Sequence, residues 1–340
     1  MDGILPLNKD RGMTSNDAVF KCRRLFQTRK VGHSGTLDPN VDGVLPICIG
    51  HATKVVSYLM ESGKVYTGEV TLGFSTETED LDGKIVEEYF LTKPFSDELI
   101  KEKMQQLCGD IIQIPPMYSA VKVNGRRLYD YARKGEKVER PKRKIHVESF
   151  ELVGSSAFDK ENGVQKLRFK VACGKGTYVR TLATDLGKKL GVPAVMSDLT
   201  RLESGSFKLD EAYTLAQLEE LKQNGKLEEA LRPVDHALKM PKRELTSAQW
   251  KIVKNGGFLL PENFSDLSAT DGLQVALTYQ NKCRCVYRYN EEKRRYQAEQ
   301  MIEETTNYAN ALVEEHEIML KAYEKAEQTI NAANAQAEEI

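Results

Sequence analysis

Residues 32 to 46, GHSGTLDPNVDGVLP, constrain the fold of this chain most, because three glycines and two prolines surround Asp38. Glycine allows backbone angles that other residues avoid, proline locks φ, and a residue before proline is biased away from the helical region. The segment is therefore predicted to be an irregular loop that presents the Asp38 carboxylate from a rigid scaffold. An Asp-Pro turn that only starts a bend is commoner, and the segment taken alone favours that ordinary role.

Periodic apolar residues predict the elements around this loop. The Thr14–Asp17 cap and the apolar stripe after it predict a helix over residues 15–27. Residues 64–73 alternate with the period of a strand and place Tyr66 on the apolar face, where it would serve equally well as ordinary core. Residues 199–207 predict another strand, and DEAYTLAQLEEL, which starts at Asp210, predicts a helix after Phe207.

Residues 165–172 alternate as a strand and lead into residues 173–187, CGKGTYVRTLATDLG, which predict a glycine turn and then a helix. Thr177 is the expected cap, which places Arg180 in the first helical turn. A cation there opposes the helix dipole, so Arg180 is expected to pair with a carboxylate; an ordinary surface arginine is the equally weighted alternative. The segment lacks the G-x-x-x-x-G-K-[ST] pattern of a nucleotide triphosphatase, and residues 32–36 lack the G-x-S-x-G pattern of a serine hydrolase.

The net charge of −1 conceals an uneven distribution. Residues 302–340 carry nine Glu and two Lys, a charge of −7, so the rest of the chain carries +6. Positive charge is densest between Pro116 and His146, where ten Lys or Arg stand against three acids and three tyrosines are interleaved. Cations near phosphates release counterions and aromatic rings stack on bases, so this segment is predicted to contact nucleic acid. A solvated basic hairpin without a ligand is the alternative.

The cysteines and histidines give no sign of a metal site. The six cysteines are single apart from one C-x-C, and the five histidines show no ligand spacing, so we expect no metal. No run approaches the roughly 20 apolar residues that cross a bilayer, and the N-terminus has no signal-peptide pattern. The expected location is therefore cytoplasmic, without a membrane partner.

Four segments together resemble one known family. The loop GHSGTLDPNVDGVLPICIGHATK, the strand KVYTGEVTLG, the basic segment PPMYSAVKVNGRRLYDYARKG and the turn CGKGTYVRTLATDLG resemble, in this order, the TruB family of bacterial tRNA pseudouridine 55 synthases. The similarity starts at LPLNKDRGMTSND and extends to about Met301. It implies an isomerase that flips a uridine out of the T-loop of tRNA and converts it to pseudouridine, without cofactor or metal.

The resemblance also implies the fold and the domains. The class is α+β, a pseudouridine-synthase fold whose mixed, largely antiparallel sheet is flanked by helices. Residues 1–240 would form the catalytic domain, with an RNA-gripping insertion at about 116–147, and residues 241–301 a small β-rich PUA-like domain that binds RNA. Residues 302–340 have no counterpart in the family; their stepped apolar positions predict a frayed, solvated helix of unassigned role and partner. We expect a monomer that binds the T-arm of tRNA.

Matching positions imply roles for single residues. Asp38 matches the family's essential aspartate, which acts either as a nucleophile or as a group that helps to form a glycal intermediate. Tyr66 matches the tyrosine that stacks on the target base, and Arg180 the arginine paired with the aspartate. Leu199 matches an apolar residue beneath the base, and His33 a pocket residue linked to the flipped arrangement of the T-loop.

Further matches border the site or belong to the insertion. Lys9 and Tyr178 match positions at the edge of the site. The substrate contacts predicted in the insertion are Lys122, Arg126, Arg127 and Tyr129. Asp42 departs from the family, which often has small residues after the Asp-Pro pair, and it leaves the local charge of the loop open.

Two interpretations of function are open from the sequence. One is an RNA-modifying enzyme; the other is an RNA-binding or folding factor that grips the T-arm and whose chemistry is secondary. Both require the basic segment, and they differ in whether Asp38 acts on the substrate. A third interpretation, a regulatory module built around the acidic tail, depends on residues 303–340.

Overall fold

The computed structural model of the chain describes residues 1–264 and 266–302. The chain divides into two compact units, the first formed by Met1–Arg232 and the second beginning at Pro233. The sequence analysis placed the domain boundary at residue 240, and the division between the two units lies before that residue. The helix predicted for the acidic tail lies outside the described residues.

Fourteen strands occur in the first unit. They are β1 (Gly3–Lys9), β2 (Val31–His33), β3 (Asp42–Ile49), β4 (Lys64–Leu72), β5 (Phe74–Thr76), β6 (Ile85–Glu88), β7 (Gly109–Gln113), β8 (Lys122–Val123), β9 (Arg126–Arg127), β10 (Arg143–Leu152), β11 (Ala157–Asp159), β12 (Val164–Cys173), β13 (Ala194–Ser204) and β14 (Phe207–Lys208). Ten of them form one sheet with the order β1-β3-β13-β4-β12-β10-β7, to which β2, β11 and β14 add at β3, β12 and β13. The pairs β5–β6 and β8–β9 form separate hairpins.

Strand pairing in the large sheet is antiparallel except between β3 and β13, which are parallel. The α+β class and the mixed, largely antiparallel sheet predicted from the sequence are therefore confirmed. The parallel pair joins segments about 160 residues apart, with Thr200 opposite Asp42 and Arg201 opposite Gly43. This contact brings the end of the Asp38 loop next to β13.

Six α-helices accompany the sheet. They are α1 (Ser15–Leu25), α2 (Val56–Glu61), α3 (Asp97–Gln105), α4 (Leu128–Arg133), α5 (Val179–Leu190) and α6 (Leu215–Gln223). In β12 every second residue from Gln165 to Cys173 is buried, as expected for a strand with one face on the core. The helices α3 and α5 pack against β10 and β13 respectively, and their apolar stripes complete that core.

Two predicted helix starts are wrong. The cap of α5 is Tyr178 rather than Thr177, and the backbone N–H of Tyr178 is bound by the side chain of Gln113 at 2.8 Å. The helix expected from Asp210 begins only at Leu215, because Thr214 supplies a capping box there. The intervening residues form the short strand β14 and a 3-10 turn over Leu209–Glu211.

The second unit contains β15 (Lys242–Glu244), α7 (Ser247–Val253), β16 (Gln274–Tyr279), β17 (Lys282–Asn290) and β18 (Arg295–Met301). Its four strands form one sheet in sequence order, around a core that includes Tyr287 and Tyr296. The expectation of a small β-rich second domain is confirmed.

Within residues 1–264 and 266–302, no helix combines the length and the apolar character that crossing a membrane requires.

Candidate active site

The Asp38 loop begins after β2 and ends where β3 joins β13. At Gly43 the chain has φ of +108°, and a Cβ atom there would lie 2.2 Å from the backbone oxygen of Arg201. Only glycine permits this close approach of the two strands. The glycine that follows Asp42 in the sequence is thus the residue that lets the loop enter the sheet.

Buried polar groups hold the loop in one conformation. The Ser15 hydroxyl at the start of α1 accepts from the N–H of Leu37 at 2.9 Å and donates to its carbonyl at 3.1 Å. The fully buried Lys9 donates from its ammonium to the backbone oxygens of Met13 at 2.8 Å and Pro39 at 3.2 Å. Lys9 therefore lies beneath the loop and braces the residue next to Asp38.

The acid of this loop meets the arginine that the sequence assigned to it. The Arg180 Nε lies 3.1 Å from Oδ2 of Asp38; the Asp38 side chain is 40% exposed and that of Arg180 is 9% exposed. Arg180 projects from the first turn of α5, as predicted. The structure thus pairs a half-buried carboxylate that solvent can reach with a buried guanidinium.

Arg180 makes three further contacts that fix its position. It lies 3.4 Å from Oδ2 of Asp80 and donates to the backbone oxygens of Thr78 at 2.9 Å and Tyr118 at 3.1 Å. Tyr118 belongs to the start of the basic insertion, so one guanidinium links the Asp38 loop, the Thr78–Asp80 turn and the insertion. The planar fork of arginine suits this arrangement.

Burial and nearby charges set the pKa of Asp38. Burial raises the pKa of Asp38; the charge of Arg180 opposes this shift, and the charges of Asp80 and Asp82 add to it, with the net result above the ordinary value. Arg180 therefore limits the rise rather than lowering the pKa of Asp38 below that of a free aspartate.

Tyr66 and Leu199 lie on one face of the sheet at neighbouring strands. Tyr66 on β4 is opposite Arg201 on β13, and Leu199 is opposite Gly68. Both side chains are buried. Burial raises the pKa of the Tyr66 hydroxyl, Arg201 opposes the shift, and the Asp38 charge contributes to it, so the phenol lies within electrostatic reach of the carboxylate.

His33 lies at the end of β2, and Tyr178 lies at the start of α5. His33 ends β2, directly before the loop; burial and the charge of Arg201 lower its pKa, so the imidazole is neutral at neutral pH. Tyr178 precedes α5, and Gln113 binds both its N–H and its carbonyl, at 2.8 and 3.0 Å.

The insertion residues predicted to bind RNA occupy the β8–β9 hairpin and α4. Lys122 and Arg127 are exposed, and Arg127 donates to the Tyr129 hydroxyl at 2.7 Å. Arg126 instead pairs with Glu136 at 2.8 Å and covers the Tyr131 ring at 4.1 Å. The segment 143–147, the end of the predicted insertion, belongs to β10 of the main sheet.

Asp42, the departure from the family pattern, has its own partners. Arg11 Nε lies 3.0 Å from Oδ2 of Asp42, and the Thr200 hydroxyl donates to Oδ1 at 2.5 Å. Burial opposes ionisation, but these hydrogen bonds and the Arg11 charge outweigh it and lower the pKa of Asp42. Arg11 also contacts Asp198 at 2.7 Å. The second carboxylate of the loop therefore strengthens the β3–β13 junction.

Sequence reasoning missed Asp80, Asp82 and Arg201. Asp82 accepts from the side chain of Asn40 in the loop at 2.6 Å. The sequence did contain a signal for Arg201. It lies two positions after Leu199 in the predicted strand, so its charged side chain falls on the same buried face.

In the described residues no group of three or more His, Cys, Asp or Glu side chains is placed to hold a metal ion.

Comparison with known proteins gives one consistent result. A model of the TruB family pseudouridylate synthase N-terminal domain matches residues 23–179, and a model of the tRNA pseudouridylate synthase B C-terminal domain matches residues 180–239. The chain is 61% identical over 304 residues to tRNA pseudouridine synthase B of Ligilactobacillus salivarius, covering 89% of this chain and 99% of that protein. It is 49% identical over 289 residues to the protein of that name from Bacillus pumilus, covering 84% and 93%.

Solved structures agree with the sequence relatives. A chain of a Cbf5-Nop10-Gar1 complex superposes with a TM-score of 0.67 at 25% identity, covering 90% of this chain and 86% of that chain. An H/ACA RNP bound to a substrate RNA containing 2'-deoxyuridine gives a TM-score of 0.64 at 23% identity, covering 88% and 85%, and shows the shared fold.

Proposed function

Because this chain belongs to the TruB family of pseudouridine synthases, we propose that it isomerises the uridine at position 55, in the T-loop of tRNA, with Asp38 as the essential carboxylate. The tRNA pseudouridine synthase activity itself follows from the family. The target position, the flipping of the base and the roles of single residues are the content of the proposal.

The reaction sets demands on the pocket. The C1′–N1 bond breaks and a C1′–C5 bond forms, while C5 loses a proton and N1 gains one, so the product is an isomer and no electron acceptor is needed. The uracil must detach and rotate before it reattaches. A base stacked in RNA has no room to rotate, so the nucleotide must be extruded at a cost of about a few kcal/mol.

One observation carries the proposal: a half-exposed carboxylate is paired with a buried arginine beside a buried tyrosine and leucine. Asp38 is reachable by a substrate, whereas Arg180 is held by three further acceptors. Tyr66 and Leu199 supply an apolar surface on which a flipped base can stack. A charge pair that served folding alone would not need this access to solvent.

The carboxylate can act in two ways. As a nucleophile it attacks the ribose or the base, and in the glycal route it helps to form the sugar intermediate. The nucleophilic route needs Asp38 ionised, and the Arg180 charge favours that state against the effect of burial. His33 is proposed to help to hold the T-loop, and Tyr178 to border the site.

The basic insertion is proposed to hold the tRNA backbone. The exposed cations Lys122 and Arg127 are available to phosphates, and Tyr129 to a base. Arg126 is engaged within the protein by Glu136 and the Tyr131 ring, so we expect it to shape the insertion more than to bind phosphate.

The test is to incubate an unmodified tRNA transcript with the full chain and to map pseudouridine by position. The expected product carries pseudouridine at position 55 alone, and a transcript with cytidine at that position remains unmodified. Modification at another position would contradict the proposed target. Tight binding of the transcript without any pseudouridine would favour an RNA-binding factor.

A further inference from the structure

Glu79 is a partly buried acid to which neither the sequence motifs nor the proposed function gives a role. It is the middle residue of the Thr78–Asp80 turn, and its backbone has φ of +64°. This left-handed conformation is uncommon for residues other than glycine, and glutamate lacks the short polar side chain that eases it in asparagine or aspartate. The contacts around Glu79 must therefore hold it in this conformation.

Two elements that are distant in sequence bind Glu79. The hydroxyl of Thr181 on α5 donates to the carboxylate Oε2 of Glu79 at 2.7 Å. The backbone N–H of Met196 on β13 donates to the carbonyl of Glu79 at 3.1 Å. Glu79 is thus anchored through both its side chain and its backbone.

The carboxylate of Glu79 also suits the end of the helix that it contacts. The first turn of α5 contains Arg180 and no acid of its own, and an anion at this end of a helix is stabilised by the helix dipole. Burial raises the pKa of Glu79, and the charges of Arg180, Arg140 and Lys188 oppose this shift. Glu79 therefore supplies, from a distant segment, the acid that the first turn of α5 lacks.

Adjacent residues of α5 bind successive residues of the turn. Arg180 donates to the carbonyl of Thr78 at 2.9 Å and lies 3.4 Å from Oδ2 of Asp80. Thr181 binds the residue between them, Glu79. Loss of the bond between Thr181 and Glu79 would release the middle of the turn and so loosen the two groups that hold the guanidinium.

The segment after the turn contacts the loop of the carboxylate that Arg180 binds. Asp82 accepts from the side chain of Asn40 at 2.6 Å, and Asn40 lies two residues after Asp38. The turn and the two residues that follow it are therefore connected to both members of the Asp38–Arg180 pair.

We infer that Glu79 is a positioning residue for the isomerisation, which accepts from Thr181, fixes the turn on α5 and so sets Arg180 against Asp38. This inference rests on the proposed function, because it concerns the pair that the proposed function uses. Glu79 acts through Arg180, so its effect on the reaction must vanish when the guanidinium is absent.

The test measures single-turnover tritium release from tRNA labelled at uracil C5, together with tRNA affinity, for variants of the full chain. Glu79→Gly removes the carboxylate but permits the left-handed backbone, and Thr181→Val removes the donor. Each is expected to lower the rate by about 10-fold, less than the loss of about 100-fold for a 1 Å misplacement, because Arg180 keeps its own contacts. The Kd for tRNA should stay within about threefold.

The combination of the two substitutions tests whether they remove one and the same hydrogen bond. The double variant should lose no more than about threefold beyond either single variant. In an Arg180→Gln background, Glu79→Gly should change the rate by less than about threefold. Thr181→Val also serves if the glycine variant does not fold.

Two conservative variants separate the hydrogen bond from the charge. In Glu79→Gln the amide oxygen can still accept from Thr181, so the rate should stay within about threefold of the wild-type rate. Glu77→Gln is the matched control, because it removes the charge of an exposed acid two residues earlier and should leave rate and affinity unchanged.

A readout independent of turnover is the Nε–H signal of Arg180 in a nitrogen-15 NMR spectrum, assigned by its absence in Arg180→Gln. The signal should shift in Glu79→Gly and in Thr181→Val, because the guanidinium moves relative to Asp38. It should stay in place in Glu77→Gln.

Several outcomes would overturn the inference and leave Glu79 a folding residue. They are a wild-type rate in Glu79→Gly or in Thr181→Val, an equal loss from Glu79→Gly with and without the Arg180 guanidinium, and an unmoved Arg180 signal. Absence of tritium release by the wild-type chain would instead contradict the proposed function, so the two failures are distinguishable.

Discussion

Replacing Asp38 with asparagine separates a catalytic carboxylate from a structural ion pair. The substitution keeps the shape of the side chain and removes its charge from beside Arg180. Arg180 keeps its contact with Asp80 at 3.4 Å and its hydrogen bonds to the carbonyls of Thr78 and Tyr118 at 2.9 and 3.1 Å. The guanidinium is therefore not left buried without partners.

The expected change in stability is small. The Asp38 side chain is 40% exposed, and a pair so accessible to solvent contributes about 1 kcal/mol or less. The pKa of Asp38 is raised in the folded protein, so ionisation of Asp38 destabilises the folded state. The free energy of unfolding therefore falls as pH rises through that pKa. Asparagine avoids this cost at neutral pH. The two effects oppose each other, so Tm should shift by no more than about 2–4 °C.

The expected change in rate is large. Loss of an essential catalytic group lowers turnover by about 10⁴-fold or more. The assay is tritium release from tRNA labelled at uracil C5, under single-turnover conditions, together with thermal unfolding and tRNA binding. Asp10→Asn is the matched control, because it removes the same charge from an exposed carboxylate nearby and should leave all three measurements unchanged.

Two results would refute this reasoning. Tritium release at the wild-type rate by Asp38→Asn would remove the carboxylate from the mechanism. Early unfolding of the variant, together with a loss of tRNA binding, would show that the Asp38–Arg180 pair holds the fold.

Three further predictions concern other parts of the chain. Arg180→Gln should lower the single-turnover rate by about 100-fold and move the acid limb of the pH–rate profile to higher pH, because it removes the charge that lowers the pKa of Asp38; an unmoved limb would contradict this. Lys122→Ala should reduce the slope of log Kd against log salt by about one, whereas Lys101→Ala on α3, the matched control outside the insertion, should not. Deleting residues 303–340 should leave kcat/KM within about twofold, and a collapse of turnover would assign the tail a functional role.

Local signals in the sequence were sufficient to locate part of the site. The glycines and prolines around Asp38 predicted its loop, and the unfavourable position of Arg180 in the first turn of α5 predicted a carboxylate partner. The structure shows two such partners, Asp38 and Asp80. Tyr66 could be placed on the buried face of its strand, but its role required the family resemblance.

The remaining features depend on contacts between distant segments. The parallel pairing of β3 and β13 brings Arg201 under Gly35 and Val44, and no short-range pattern encodes this pairing. Lys9 was expected at the edge of the site, and its complete burial follows from the way β1 ends beneath the loop. The charge of Asp42 was open from the sequence, because its partner Arg11 is on a separate segment.

The pKa of Asp38 illustrates the same limit. The resemblance implied that Arg180 pairs with Asp38, but not that burial and the nearby acids Asp80 and Asp82 raise the pKa of Asp38 above the ordinary value. These opposing contributions depend on distances and solvent access, which only the folded arrangement provides.

The most direct test of the central claim is position-resolved mapping of pseudouridine in tRNA from cells that lack this activity and are supplied with either the wild-type chain or Asp38→Asn. The account predicts pseudouridine at position 55 with the wild-type chain and unmodified uridine there with the variant at equal protein level. Pseudouridine at that position with Asp38→Asn, or its absence with the wild-type chain, would contradict the account.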